Sequence, residues 1–162
     1  MIILGIDPGT ATTGYGVIEM DGDSCKTLDY GCIRTTPDRS RQDRLKIIHG
    51  QMLAILDRWQ PDVMAIEQLF FNRNTSTAMV VGEARGVMLL AASMREVSVA
   101  EYTPMVVKQA LVGYGRASKS QVEDMVQLEL GLKKAPKPDD VSDALAIALT
   151  HCFLGARLPK AV

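Results

Sequence analysis

Residues 2–10 read Ile2-Ile3-Leu4-Gly5-Ile6-Asp7-Pro8-Gly9-Thr10, an unbroken apolar run that ends in a carboxylate. A run with no polar alternation suits a strand buried on both faces, in the centre of a helix-covered sheet. Pro8 fixes its own φ and holds Asp7 extended, and Gly9 permits a tight turn. Outward from this run, Gly14 to Met20 is predicted as a second strand and Asp21-Gly22-Asp23 as a hairpin turn. Lys26 to Thr35 then alternates, with Leu28, Tyr30 and Cys32 on one face and Thr27, Asp29 and Gly31 on the other. Three antiparallel strands therefore open the chain.

Helical spacing follows. Leu45, Ile48, Met52, Ile55, Leu56 and Trp59 mark a helix over Arg41 to Trp59 that Gln60-Pro61 ends. Asp62 to Glu67 is a fourth strand, a short apolar run again closed by a carboxylate. Thr75 to Arg95 is a long helix bearing Gly82, Ala84 and Gly86, and Ser98 to Tyr102 is a fifth strand. Thr103-Pro104 reads as an N-cap with proline at the first helical position, and Ser118 with Gln121 as a capping box for a helix that stops at Gly131. After a loop with lysines and prolines, Asp139 or Asp140 caps an alanine-rich last helix that reaches about Phe153. The order βββαβαβ followed by helices predicts an α/β fold, a mixed sheet covered by helices. One domain is expected over residues 1–155, with 156–162 a short tail.

Composition agrees with one soluble domain. The 162 residues are 47% hydrophobic and 23% charged, and a chain this long buries about 70% of its unfolded surface, so it needs no disulfide or metal to hold a core. Cys25, Cys32 and Cys152 are odd in number and lack C-x-x-C spacing, which argues against a disulfide framework and for a reducing compartment. The N-terminus has no basic region of a signal peptide, and no stretch approaches the roughly 20 apolar residues of a membrane span. A cytoplasmic protein without a membrane partner is expected. Eighteen Lys and Arg against 19 Asp and Glu give a net charge of -1, which excludes nucleic-acid binding by bulk positive charge.

Four carboxylates stand out by position. Asp7 and Glu67 close the two central strands, and Asp140 and Asp143 lie three apart at the start of the last helix. Converging carboxylates repel unless cations neutralise them, and an all-oxygen donor set suits Mg²⁺ or Mn²⁺. Two such ions roughly 3.5–4 Å apart activate a water and stabilise the leaving oxygen of a phosphodiester. Each residue also has a plainer role: Asp7 as a turn former, Asp140 as a helix cap, Asp143 as a partner of the helix dipole. Glu67 is the hardest to explain that way, because a carboxylate closing a buried run has no structural need to be there. His151 lies eight residues beyond Asp143, about 12 Å along a helix, too far for the same ion. His49 lies among apolar positions and reads as structural, and the nine methionines as core filler or interface packing.

Six short motifs occur in one order along the chain: Gly5-Ile6-Asp7-Pro8-Gly9, Gly14-Tyr15-Gly16, Ala65-Ile66-Glu67-Gln68, Val107-Lys108-Gln109, Lys119-Ser120-Gln121 and Asp143-Ala144-Leu145-Ala146-Ile147-Ala148. Together they resemble the RuvC family of bacterial Holliday junction endonucleases, in the RNase H-like, integrase-type superfamily, from Ile2 to His151. The resemblance implies a five-stranded mixed sheet flanked by helices, and a homodimer that cuts two opposed strands of a four-way DNA junction. It places Asp7, Glu67, Asp140 and Asp143 on the catalytic metal-binding positions for Mg²⁺ or Mn²⁺, two ions per site, with Asp139 beside them as an alternative to Asp140. It implies hydrolysis by metal-activated water, leaving 5′-phosphate and 3′-hydroxyl ends, with a preference for short T-containing sequences. Lys108 and Lys119 fall where the family has basic side chains near the scissile phosphate. Phe70 falls on an aromatic that stacks on junction bases, with Phe71 and Arg73 beside it. Met79, Met88 and the Gly82/Gly86 pair lie on the helix through which the family dimerises. A branch-migration motor and its junction-binding adaptor are the implied partners.

Two other classes compete. Asp7-Pro8-Gly9-Thr10 also resembles the first phosphate loop of actin-like kinases and ATPases, but those enclose a nucleotide between two such domains, and 162 residues supply one. A non-catalytic DNA-binding member of the same fold would be expected to lack one or more of the four carboxylates, and all four are present. The charge is also uneven: residues 103–137 carry six basic residues against three acidic ones, a local +3. Two divalent ions on the four acids would move the whole chain from -1 to +3.

Overall fold

The computed structural model describes residues 1–68 and 75–155, with side chains of the second stretch described from residue 78. Its elements are β1 (Ile2–Asp7), β2 (Thr12–Asp21), β3 (Ser24–Arg34), α1 (Arg41–Trp59), β4 (Val63–Glu67), α2 (Thr75–Met94), β5 (Ser98–Tyr102), α3 (Pro104–Val112), α4 (Lys119–Glu129) and α5 (Asp139–Gly155). The strands form one sheet in the order β3-β2-β1-β4-β5, antiparallel across β1, β2 and β3 and parallel from β1 to β4 to β5. The expected five-stranded mixed sheet is present, with β1 at its centre. The expected tail at 156–162 lies outside the described residues.

Period-2 alternation along β1 and β4 divides the core into two layers. Leu4, Ile6, Met64 and Ile66 pack beneath α1 and α2, whereas Ile3, Val63 and Ala65 face α3, α4 and α5. Asp7 and Glu67 fall one step beyond Ile6 and Ile66, so both carboxylates share the α5 side of the sheet. Local chemistry sets the helix starts as expected. Thr103 Oγ1 accepts from the Val106 N–H ahead of Pro104, and Ser118 and Gln121 form the reciprocal capping box. Gly22, at φ 57°, makes the hairpin turn.

Three expectations need correction. The alternation predicted along β3 breaks, because Val17 pairs with Asp29 and Ile18 with Thr27, leaving Leu28 as a bulge. Past the bulge the faces exchange, so Asp29 accepts from Trp59 Nε1 of α1 at 3.2 Å while Thr27 sits on the opposite side. Met88 is fully buried in the core under α2 and cannot line a dimer surface. Asp139 and Asp140 are the first two residues of α5 and lie inside its first turn rather than capping it.

The last helix lies unusually close to the sheet. A Cβ on Gly5 would overlap the Ala144 carbonyl oxygen, and one on Gly14 the Asp140 carbonyl. Only glycine lets the α5 backbone settle against β1 and β2 at these points. Among the described residues no helix is long and apolar enough to cross a membrane. Gly14→Ala should cost about 3 kcal/mol, because backbone has to move aside, and lower the melting temperature by roughly 6–12 °C. Thermal unfolding checks this; an unchanged melting temperature would mean that α5 moves freely.

Candidate active site

Backbone pairing carries the acidic residues together. Ile6 pairs with Ile66 across the parallel β1–β4 ladder, so Asp7 and Glu67 follow side by side at the strand ends. The close approach of α5 then brings its first turns over them. Asp7, Glu67 and Asp143 line one cavity of about 230 Å³ with Lys108 of α3 and Lys119 of α4. Its other wall is apolar, including Val107, Val122 and Ile147, which keeps water from screening the charges.

The electrostatics show the cost of this arrangement. Burial, and then the charges of Glu67, Asp143 and Asp140, push the Asp7 carboxyl up from 3.8 to about 8, with Lys119 opposing them. Burial and the charge of Asp143 likewise raise Glu67. Burial works against the Lys119 ammonium, yet its hydrogen bonds with Asp143 and Asp139 and their charges outweigh it and hold it above the ordinary lysine value. Lys119 Nζ stands 3.0 Å from Asp143 Oδ2 and 3.4 Å from Asp139 Oδ2.

The sequence-predicted residues thus divide. Asp7, Glu67, Asp143, Lys108 and Lys119 share the cavity, and Asp140 acts on Asp7 through its charge from the same helix turn. Asp139 faces lysines: Lys137 Nζ lies 2.7 Å from its Oδ1 and holds its carboxyl below the usual range, with Lys119 adding to this. Phe70, Phe71 and Arg73 lie outside the described residues. His151 is engaged elsewhere, its Nδ1 2.8 Å from the Tyr102 hydroxyl, and burial lowers its pKa. His49 Nε2 is buried with no hydrogen-bond partner among the described residues.

One residue escaped sequence reading. Arg85 of α2 reaches the end of β4, where its Nε donates to the Glu67 carbonyl at 3.4 Å and its Nη2 pairs with Glu101 Oε2 of β5 at 2.6 Å. A lone arginine inside an apolar helix stretch was its only signal.

Among the described residues no three acidic, histidine or cysteine side chains are gathered closely enough to enclose an ion as they stand. The donor chemistry nevertheless fits a hard divalent cation: the carboxylates are all-oxygen donors, and Asp7 and Glu67 are buried and repelled by like charges. A bound cation would remove the repulsion that lifts both carboxyls.

Residues 3–151 match the family described as Crossover junction endodeoxyribonuclease RuvC. Relatives of that name include one from Alkaliphilus metalliredigens, 54% identical over 96% of this chain and 94% of its own length. A second, from Desulforamulus reducens, is 56% identical over 93% of each chain. The fold superposes on the Thermus thermophilus RuvC structure with a TM-score of 0.90 at 42% identity, covering 97% of this chain and 96% of that one. The same protein in complex with Holliday junction substrate gives 0.92. These likenesses identify the architecture as RNase H-like.

An acid whose native pKa is raised holds a proton in the folded state that the unfolded chain has already released. The metal-free protein should therefore lose stability as the pH rises from about 4 through about 8, the interval over which Asp7 differs between the two states. Melting temperatures in a chelator at pH 5 and pH 8.5 should differ by several degrees, the higher value at pH 5. Asp7→Asn should flatten that slope; a wild-type melting temperature that rises over the interval would contradict the assignment.

Proposed function

The chain belongs to the RuvC family of crossover junction endodeoxyribonucleases, and we propose that Asp7, Glu67, Asp140 and Asp143 are its catalytic carboxylates. It is a metal-dependent nuclease that resolves Holliday junctions in DNA recombination and repair. The observation that carries the site assignment is that Asp7 and Glu67 each follow the Ile6–Ile66 pair at adjacent strand ends and line one cavity with Asp143.

The four carboxylates would hold Mg²⁺ or Mn²⁺, two per site. Bound there, the ions supply Lewis acidity and a water made nucleophilic near neutral pH. The protein's own groups do the rest. Asp7 and Glu67 are held rigid by the central ladder, so their oxygens keep their aim without reorganising. Lys108 has no ion-pair partner among the described residues, so its ammonium is available to the scissile phosphate. Lys119, now shared between Asp143 and Asp139, balances charge on the acidic side. The apolar wall removes water from one side of the site. Water adds to phosphorus as the bond to the 3′ oxygen breaks, and the leaving oxygen takes a proton, giving 5′-phosphate and 3′-hydroxyl ends.

One chain has one such site, so two cuts in one junction call for two chains. Met79, Gly86, Leu90 and Met94 are exposed along one side of α2, at the spacing of a continuous helix stripe. A second copy of this chain is the occupant we assign to that stripe. A Cβ at Gly86 meets nothing within 4 Å among the described residues, so a side chain there leaves the described fold undisturbed.

In Mg²⁺ or Mn²⁺ the protein should nick a synthetic four-way junction symmetrically and leave the matching linear duplex intact, as read on a denaturing gel. Asp7→Asn should bind the junction and cut at least 10³-fold more slowly; retention of normal cutting would overturn the carboxylate assignment. Sedimentation velocity should show a dimer that Gly86→Arg converts to a folded monomer, and a Gly86→Arg protein that stays dimeric would move the interface elsewhere.

A further inference from the structure

The segment that joins β3 to α1 is as basic as the stretch around Lys108 and Lys119, yet it lies apart from them, at the β3 edge of the sheet. Residues 34–46 hold five basic side chains, Arg34, Arg39, Arg41, Arg44 and Lys46, against Asp38 and Asp43, a local +3. Arg41 is spent on an ion pair with Glu83 of α2. The two acids are also occupied: Asp43 with Ser40 at 2.7 Å, and Asp38 with the Thr36 hydroxyl, which holds its carboxyl below the usual range. Arg34, Arg39, Arg44 and Lys46 make no ion pair among the described residues.

This cluster is fixed to the catalytic turn. Arg44 Nε donates to Thr35 Oγ1 at 2.8 Å, Thr35 Oγ1 donates to the Thr10 carbonyl, and the Thr35 N–H donates to the Ala11 carbonyl at 3.1 Å. Thr35 is buried, so the chain of bonds is shielded from water. Among the described residues, it leaves the four Nη protons of Arg44 without a hydrogen-bond partner. In the sheet, Arg34 pairs with Thr12 while Asp7 pairs with Gly14. Two strand spacings and two residues of rise put their Cα atoms about 12 Å apart. That is the length of about three to four nucleotides of stacked strand.

We propose that Arg34, Arg39 and Arg44 form a second phosphate-binding lobe, which grips a DNA strand on the β3 side of the catalytic carboxylates, while Lys108 of α3 and Lys119 of α4 act at the cavity itself. The inference rests on the junction-cleaving reading above. A negatively charged backbone crossing a cluster of buried carboxylates needs positive potential on both flanks, because repulsion from the acids would otherwise turn it aside. The arginine fork suits phosphate oxygens better than an ammonium does, and the Thr35 tether pre-orders one of the three.

The test is junction binding by fluorescence anisotropy in a chelator, which prevents cutting, across a range of KCl concentrations. Arg34→Gln/Arg39→Gln alters two exposed side chains that support no other residue. Its slope of log affinity against log salt should be shallower by about 1.8, so that between 50 and 200 mM KCl it loses about twelvefold less affinity than the unaltered protein. Lys26→Gln, at the far end of β3, should leave the slope unchanged. Arg44→Lys should keep the charge and most of the slope while weakening binding, because the fork and its tether are lost. An unaltered slope for the double variant, or an equal loss per charge for Lys26→Gln, would overturn the lobe. Failure of the unaltered protein to bind the junction would instead remove the junction reading itself, and the lobe with it.

Discussion

Everything at the site depends on how closely α5 lies against the sheet. Gly5 and Gly14 remove the side chains that would hold the helix off, and the carbonyls of Ala144 and Asp140 occupy the space. With ordinary residues there, the helix would ride outward and carry Asp140 and Asp143 away from Asp7 and Glu67. Close packing of backbone on backbone is costly in sequence freedom, since glycine gives up conformational entropy on folding. In return the two carboxylate pairs are brought together by rigid elements, with no loop between them and the core.

That same closeness creates an energetic conflict. Asp7 is raised to about 8 by burial first and by its acidic neighbours second. Its neutral form is therefore the comfortable one in the absence of a cation, whereas binding a cation needs the ionised form. The fold thus stores part of its stability in a deficit that a divalent ion relieves, and the binding of that ion is coupled to proton release. Lys119 offsets some of the deficit from outside. Its ammonium sits on Asp143 and Asp139, and Lys137 holds Asp139 from the other side. Asp139 is thereby committed to lysines, which leaves Asp140 as the acid of that pair with an influence on Asp7.

The features that could be read in the sequence are those governed by local rules. The buried run at Ile2 to Ile6, the hairpin at Gly22, the caps at Thr103 and Ser118, and the shared face of Asp7 and Glu67 all follow from periodicity and turn chemistry within a few residues. The bulge at Leu28 did not, because a strand's alternation says nothing about where its partner adds or drops a residue. Met88 was misplaced for a related reason: small and apolar residues surround α2, so periodicity could not say which stripe faces the core. Arg85 was hidden because its two partners, the Glu67 carbonyl and Glu101, are distant in sequence and meet only when β4 and β5 are paired. The motifs that carry the family resemblance single out the carboxylates as a group, but the lysine contacts that separate Asp139 from Asp140 belong to tertiary structure.

A net charge of -1 looks unpromising for a protein that handles DNA. The distribution explains how the two coexist. Three acidic side chains, Asp7, Glu67 and Asp143, are drawn into the cavity, where the helices around it confine their field. Basic side chains lie on both flanks, Lys108 and Lys119 at the cavity and the Arg34–Lys46 segment toward the β3 edge of the sheet. A long uniform duplex gains little from a nearly neutral surface, since non-specific affinity scales with the number of phosphates neutralised. A branched substrate that presents backbone to both flanks at once gains from each of them. Near-neutrality is therefore itself a source of selectivity: it keeps the bulk term small, so that shape decides which DNA stays bound.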